Sequence, residues 1–223
     1  MIIALLKPRN AGILLGFLGG TLAALAAPEP VRWTLQDLRQ IGGVAPTVWG
    51  APQVVDGAVH FNGKGDGLMV PVNPLAGLTQ FTIAILFRPQ SGGPAAQRFL
   101  HSEDATGRRM TIEDRVVEGK GWYMDTFLLA GAGQKGLALI DPKKLHPLDT
   151  WAWGELVYDG HTMSSYVNGV PELTGKVVFP PAGPGRTSIG VRLNKVYWFQ
   201  GDIKEVRFYP AALAPAELPT AAP

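Results

Sequence analysis

Charged and aromatic side chains are concentrated in residues 98–125, whose sequence is RFLHSEDATGRRMTIEDRVVEGKGWYMD. The candidate ligand-binding residues of this segment are Arg109, Glu113, Trp122 and Asp125. The segment 192–202, RLNKVYWFQGD, adds Arg192, Lys195, Trp198 and Asp202. A planar ring can stack on a sugar, and charged groups can hydrogen-bond its hydroxyls. These segments therefore predict a site for a polar ligand, although an aromatic side chain can equally belong to a protein core.

The histidines, at positions 60, 101, 146 and 161, are scattered and lack the HExxH or His-x-His spacing of zinc sites. His101, between RFL and SEDATGRR, lies nearest to the other candidates and joins them as a ligand-binding residue. The alternative for His101 is a titratable side chain that is simply exposed in a loop. His60 alternates with Val59 and Phe61, which predicts that it faces away from the core.

Glu155 is an unusual residue for its position, because it lies in the middle of the strand-like run WAWGELVY. Burying a carboxylate alone is costly, so such a side chain needs a partner or a wet cleft. Two hypotheses stay open: an arginine neutralises Glu155, or Glu155 belongs to a functional site.

Several classes of active site are excluded by composition and motif. The chain has no cysteine, which excludes disulfides, thiol nucleophiles and thiolate metal sites. The serine-hydrolase motif G-x-S-x-G is missing, since GRTSIG has Arg186 in place of the glycine that the motif requires. The run GAGQKG at 131–136 matches G-x-G-x-x-G but precedes LALIDP, which is not a helix. It therefore predicts a loop between strands rather than a phosphate site.

The N-terminus has the pattern of an export signal. Lys7 and Arg9 precede an uncharged apolar run that ends in small residues, which predicts a cleaved signal peptide over residues 1–26. The protein is then secreted, extracellular or periplasmic; the alternative is an uncleaved membrane anchor. The full sequence has 20 basic and 18 acidic residues. Removing the signal peptide removes Lys7 and Arg9, so basic and acidic residues balance and the mature chain is neutral. Neutrality and the lack of a basic cluster argue against nucleic acid as a partner.

The rest of the chain consists of short β-type runs separated by Gly, Pro and Asp-rich turns every eight to twelve residues. This regularity predicts an all-β sandwich or barrel with under about 10% helix. In RMTIEDRV, Met110, Ile112 and Val116 share one side of a strand, and Thr111, Glu113 and Arg115 share the other. FTIAILF is apolar on both sides and predicts a central strand that is covered on both faces.

The segment YDGHTMSSYVNGV at 158–170 contains two turn dipeptides, at 159–160 and 168–169. Asp-Gly and Asn-Gly supply the positive φ angles of tight turns, so this segment predicts a β-meander. Near the start, Leu35, Leu38 and Ile41 have helical spacing, which allows either a short helix or an irregular lead-in strand.

Several segments together resemble laminin-G-like jelly-roll domains of the concanavalin A-like lectin/glucanase superfamily. They are GAVHFNGKGDGLMVPV, FTIAILFRP, WAWGELVYDGHTMSSYVNGV and TSIGVRLNKVYWFQGDIKEVRFYPAALAPAEL. The resemblance implies a two-sheet antiparallel jelly roll over residues 54–218, between a lead-in segment at 27–53 and a disordered tail at 219–223.

Domains of this kind mostly bind glycans or protein partners outside the cell, often with calcium. The resemblance places the ion at Asp66 and Asp202, although Lys204 stands where many relatives have Asp. The expected partner is a polysaccharide or glycoconjugate, or alternatively an extracellular protein. We expect no membrane insertion after the signal is removed.

Some relatives cleave glycans, but their motifs are missing here. Laminarinase-type enzymes carry E-x-D-x-x-E, and no E-x-D occurs in this chain. Alginate-lyase-type motifs are matched only by the EDR at 113–115. We therefore predict a non-catalytic, lectin-like module. The alternatives are an adhesion module or a hydrolase or lyase, whose catalytic residues would be His101, Glu113 and Glu155.

Overall fold

The computed structural model describes residues 29–220, within which the chain forms two antiparallel β-sheets. The predicted signal peptide at 1–26 and the last three residues of the predicted tail lie outside the described residues. Sheet I contains β1 (Val31–Thr34), β3 (Gln53–Val55), β4 (Ala58–Asn62), β6 (Phe81–Pro89), β11 (Ala152–Tyr158), β12 (Thr162–Val167), β13 (Val170–Lys176) and β15 (Gln200–Tyr209). Sheet II contains β2 (Thr47–Trp49), β5 (Gly67–Val70), β7 (Ala96–Asp104), β8 (Arg109–Val117), β9 (Gly121–Leu129), β10 (Gly136–Ile140) and β14 (Gly185–Ile189).

The strand order of sheet I is β13-β12-β11-β6-β15-β4-β3, with β1 also pairing with β15, and that of sheet II is β10-β9-β8-β7-β14-β5-β2. The main hydrophobic core contains inward-facing residues of both sheets, among them Phe61, Phe87, Phe99 and Trp122. In the described residues the only named helical element is the 3-10 turn Pro215–Glu217. The prediction of an all-β sandwich is confirmed. Within the same residues, no helix is long and apolar enough to cross a membrane.

Strand β6 is central in sheet I and is buried on both faces, as its apolar sequence predicts. One face contacts the main core. The other face lies beneath a second apolar cluster, in which residues after β15, including Leu213 and Leu218, cover Leu86, Trp153 and Val157. The C-terminal segment thus covers part of the outer face of sheet I.

The meander at 158–170 is confirmed. Asn168 and Gly169 have φ angles of 52° and 72°, the two positive values that a type I′ hairpin turn requires. In the preceding turn, Oδ1 of Asp159 accepts hydrogen bonds from the backbone N–H groups of His161 and Thr162, and Gly160 has a φ of 98°. The side chain of Asp159 therefore closes this turn.

Replacing Gly160 with valine should destabilise the fold, because a β-branched residue resists a positive φ. We expect a loss of about 1–3 kcal/mol, which lowers the melting temperature by several degrees in a thermal melt. Gly65→Val is the matched control, since Gly65 has open space around its Cα and no positive φ. An unchanged melting temperature for Gly160→Val would mean that the turn differs from the one described.

Of the two alternatives for the lead-in segment, the strand is confirmed and the helix is wrong. Residues 29–53 contain no helix: β1 pairs with β15, and Leu35 and Ile41 enter the main core. Two other segments differ from their predicted structure. The run KVVF, predicted as a strand, mostly follows the end of β13 at Lys176. Residues 96–104, predicted in part as a loop around His101, form the nine-residue strand β7. Pairing with neighbouring strands, which local propensity cannot supply, decides all three.

Candidate functional site

The outer face of sheet II contains the polar residues that alternate with its core residues. On β8, Met110, Ile112 and Val116 enter the core as predicted. Thr111, Glu113 and Arg115, which share the opposite side, all line a surface cleft of about 170 Å³. The cleft is lined by Arg98, Arg109, Thr111, Glu113, Arg115, Asp125, Phe127, Ala138 and Arg192.

Asp114 follows the same alternation but is a polar residue on the core side of β8, where it is fully buried. Its Oδ2 accepts a hydrogen bond from Nε2 of Gln97 at 3.2 Å. Burial raises the pKa of Asp114 well above its ordinary value, because a charged carboxylate is poorly solvated in the core. Asp114 is therefore a structural residue and does not face the cleft.

A β-bulge in β7 shapes one wall of the cleft. The register against β8 shifts between Arg98 and Leu100, so that Phe99 and Leu100 are both buried in the core. Arg98 pairs with Glu113, and His101 pairs with Thr111, which places both on the outer face. The bulge thus directs two residues that are three positions apart to the same face.

Glu113 is held at the floor of the cleft by Arg98. The guanidinium Nε of Arg98 donates to Oε1 of Glu113 at 2.5 Å, and the ring of Tyr197 covers the same guanidinium at 4.0 Å. Burial, followed by the charge of neighbouring Asp125, raises the pKa of Glu113, although Arg98 opposes the shift. A carboxylate with this partner is oriented and neutralised.

Asp125 has a cationic partner of its own. Arg115 donates to Oδ2 of Asp125 from Nε at 3.1 Å and from Nη2 at 2.7 Å. Glu113 and Asp125 face each other across β8 and β9, so the two ion pairs lie side by side. The predicted candidates Glu113 and Asp125 therefore do lie together in one cleft.

Arg109 and Arg192 also lie in the cleft, as part of the same predicted set. Arg109 covers the ring of Phe127 at 5.2 Å. Arg192 comes from the segment between β14 and β15, where Gly190 and Phe199 are joined by a backbone hydrogen bond of 2.9 Å. Burial, followed by the charge of Arg109, lowers the pKa of Arg192. The two guanidinium groups therefore bring like charges together.

His101 is buried in β7 rather than exposed in a loop, which corrects that alternative. Its Nδ1 accepts a hydrogen bond from the N–H of Leu193 at 3.2 Å, and its Nε2 lies 3.0 Å from Oε2 of Glu103. Burial, followed by the charge of Arg192, lowers its pKa to about 3. A neutral imidazole with 1% exposure positions the segment at 192–193 and offers no surface to a ligand.

Trp122 was predicted to stack on a ligand, and this prediction is wrong because its ring is fully buried in the main core. Lys195 is exposed and covers the ring of Trp49 at 4.8 Å, and Trp198 is half-buried beside Gly67. Neither Lys195 nor Trp198 lines the cleft. Of the predicted ligand residues, four line it: Arg109, Glu113, Asp125 and Arg192.

Glu155 lies on the outer face of the other sheet and has no arginine partner among residues 29–220. Its strand neighbours on that side are Trp153 and Val157, and Ala84 lies opposite on β6. Oε1 accepts the N–H of Gly169 at 3.3 Å, and Oε2 has no hydrogen-bond partner in the described part of the chain. Burial raises the pKa of Glu155 to about 9, so it is protonated at neutral pH.

The predicted catalytic set does not converge. Glu113 lies on the outer face of sheet II, Glu155 lies on the outer face of sheet I, and His101 is buried. The two acids are separated by the full thickness of the sandwich, so they cannot act on one bond.

The predicted calcium ligands do not fit an ion. The carboxylate oxygens of Asp202 contact Nδ1 of His60 at 3.0 Å and Nε of Arg88 at 2.9 Å. Oδ1 of Asp66 accepts the N–H of Ala51 at 2.9 Å. Within residues 29–220 no three His, Cys, Asp or Glu side chains are grouped closely enough to hold a metal. His60 faces away from the core, as predicted.

Sequence reasoning missed several lining residues. Arg115 and Phe127 follow the same alternation that selects Glu113 and Asp125, so the pattern could have found them. Arg98, whose guanidinium is covered by the ring of Tyr197, depends on the bulge in β7 and on the path of residues 190–199, for which the sequence carries no local signal.

Comparison with known proteins identifies related sequences and folds. The family model Laminin_G_3, described as the concanavalin A-like lectin/glucanases superfamily, matches residues 62–218. No curated protein sequence matches the chain.

Similar solved structures include domain 4 of AbnA, a GH43 extracellular arabinanase from Geobacillus stearothermophilus, in complex with arabinotriose. It is 19% identical with a TM-score of 0.65, over 86% of this chain and 97% of that one. The CBM40 of the Ruminococcus gnavus IT-sialidase, bound to α2,3-sialyllactose, is 20% identical with a TM-score of 0.57, over 72% and 94%. The botulinum neurotoxin serotype D binding domain is 11% identical with a TM-score of 0.63, over 85% and 50%. At these identities the likeness establishes the fold.

Proposed function

Because the chain belongs to the concanavalin A-like lectin/glucanases superfamily, we propose that it is a secreted, non-catalytic module that binds a carbohydrate. The binding site is the cleft on the outer face of sheet II. The observation that carries the proposal is that one solvent-open cleft combines hydrogen-bonding charged groups with the ring of Phe127. Carbohydrate ligands named with two of the similar structures, arabinotriose and sialyllactose, support the same class of ligand.

We propose that the module is non-catalytic because both carboxylates of the cleft are already bound by arginines. A glycosidase needs one acid that can give up a proton and one carboxylate that is free to attack or activate water. Glu113 is bound by Arg98, and Asp125 is bound by Arg115. Both groups are thus suited to orienting arginines and accepting hydrogen bonds from hydroxyls.

We expect the full chain to bind at least one polysaccharide with micromolar to millimolar affinity. A stacked ring contributes about 1 kcal/mol and a charged hydrogen bond about 1.5–3 kcal/mol, against the cost of ordering the ligand. A glycan array and pull-downs on insoluble polysaccharides measure binding.

Ala138→Leu should weaken that binding several-fold, because Ala138 lines the cleft from the edge strand β10 and the larger leucine side chain would fill part of the cleft. Ala45→Leu makes the same change at an exposed residue outside the cleft and should bind normally. Release of new sugar ends that is lost in Glu113→Gln would contradict the non-catalytic proposal. Recovery of a protein partner without any glycan binding would instead favour an adhesion module.

A further inference from the structure

The cleft contains more positive than negative groups. Four guanidinium groups, from Arg98, Arg109, Arg115 and Arg192, line it, against the two carboxylates of Glu113 and Asp125. If both carboxylates are ionised, two positive charges remain. Burial and the neighbouring carboxylate make Glu113 easier to protonate, which only increases this excess.

Two of the four arginines are already used by the protein. Arg98 bonds Glu113, and Arg115 bonds Asp125 through two donors. Nη1 of Arg98 is buried and has no hydrogen-bond partner within residues 29–220. These pairs orient the floor of the cleft.

The other two arginines have no carboxylate partner. In the described part of the chain, the side chains of Arg109 and Arg192 form neither an ion pair nor a hydrogen bond. Arg109 contacts the ring of Phe127, and Arg192 is half-buried. Glu103 is the cross-strand partner of Arg109, but its Oε2 lies 3.0 Å from Nε2 of His101 and it forms no ion pair with Arg109.

Holding two unpaired guanidinium groups together is unfavourable unless an anion joins them. Each guanidinium presents a planar fork that matches carboxylate and sulfate oxygens. Phe127 adds ring surface beside Arg109, and Tyr197, with 46% exposure, adds ring surface beside Arg98. The cleft thus combines an anion-binding pair with surfaces suited to a sugar ring.

We propose that the cleft is specific for acidic glycans, in which a carboxylate or sulfate group on the sugar binds between Arg109 and Arg192. This inference rests on the proposed carbohydrate-binding function. Glu113, Asp125 and the backbone around the cleft then bind the neutral hydroxyls. The charged substituent of the sugar, more than its backbone, decides which polysaccharide is retained.

The test uses the full-length protein and compares polysaccharides that have the same sugar backbone with and without the charged group. Polygalacturonate and its methyl ester test the carboxylate, and dextran sulfate and dextran test the sulfate. We expect retention of at least one charged polymer, little retention of its neutral counterpart, and weaker retention at raised salt. Retention of polygalacturonate would identify the anion as a carboxylate, and retention of dextran sulfate would identify it as a sulfate.

Arg109→Gln and Arg192→Gln should each weaken binding about tenfold or more, since each removes a charge-assisted contact. Arg192→Lys keeps the charge but loses the planar fork, so it should recover only part of the affinity. Arg39→Gln is the matched control, because Arg39 is 90% exposed, pairs with Asp37 and lies outside the cleft. Melting temperatures confirm that the variants are folded.

Each contrary outcome has a distinct meaning. Binding to neutral polymers that survives both arginine substitutions would overturn the acidic specificity and leave the proposed function in place. Equal losses in Arg39→Gln and the cleft variants would show general attraction to polyanions, which also contradicts a specific site. Failure to bind any polysaccharide would overturn both proposals.

Discussion

Replacing Trp122 with alanine is expected to lower the free energy of unfolding by about 3–5 kcal/mol, the usual cost of deleting a large buried aromatic side chain. The ring is fully buried, packs against Phe87 with centroids 4.9 Å apart, and donates its indole N–H to the carbonyl of Pro147 at 3.1 Å. The substitution leaves a cavity in the main core and removes a hydrogen bond. Loss of ligand binding in this variant would follow from unfolding.

Thermal and urea unfolding measure this effect. For a domain of this size the melting temperature should fall by roughly 10 °C. Trp198→Ala is the matched control, because it removes the same side chain from a half-buried position and should cost much less. A Trp122→Ala protein with normal stability and abolished glycan binding would contradict the buried position and restore Trp122 as a stacking residue.

Replacing Glu155 with glutamine is expected to stabilise the protein above neutral pH. Burial among Trp153, Val157 and Ala84 raises the pKa of Glu155 from 4.5 to about 9, so the folded protein keeps a proton that the unfolded chain has lost. The stability that this proton provides is complete below pH 4.5 and is lost as the pH rises towards about 9. Glutamine has nearly the same shape and never ionises.

The difference between variant and native protein isolates this group, since other groups titrate equally in both. Each pH unit above the ordinary pKa costs about 1.4 kcal/mol, so the gain should approach about 5 kcal/mol at pH 8 and vanish near pH 4.5. Urea unfolding across this range measures it. Glu118→Gln, at an exposed turn, is the control and should change little. A constant difference at all pH values would contradict the protonated, buried carboxyl.

Features that depend only on residues close together in the sequence could be predicted from it. The Asn168–Gly169 hairpin needs two positive φ angles, which these residues adopt at low cost, and the structure has them. The alternation in 110–116 requires only the two-residue period of a strand, and it correctly separated core residues from cleft residues. The continuous apolar run of β6 likewise identified a strand that is covered on both faces.

Alternation alone does not say what covers each face of a strand. Trp122 and Asp125 lie on opposite faces of β9, and the sequence contains no sign of which face meets the other sheet. The two hypotheses for Glu155 failed for a related reason. The apolar cover of its face includes Leu213 and Leu218, which lie more than fifty residues further along the chain.

The cleft itself is a product of tertiary structure. Its arginines come from β7, β8 and the segment before β15, which become neighbours only through the strand order and the bulge at Arg98. The sequence determined that the chain forms short antiparallel strands with tight turns, because turn geometry and side-chain period are local properties. Only the tertiary structure decided that Arg109 and Arg192 share one cleft without an ion pair of their own, because the pairing of distant strands sets which charges are close enough to interact.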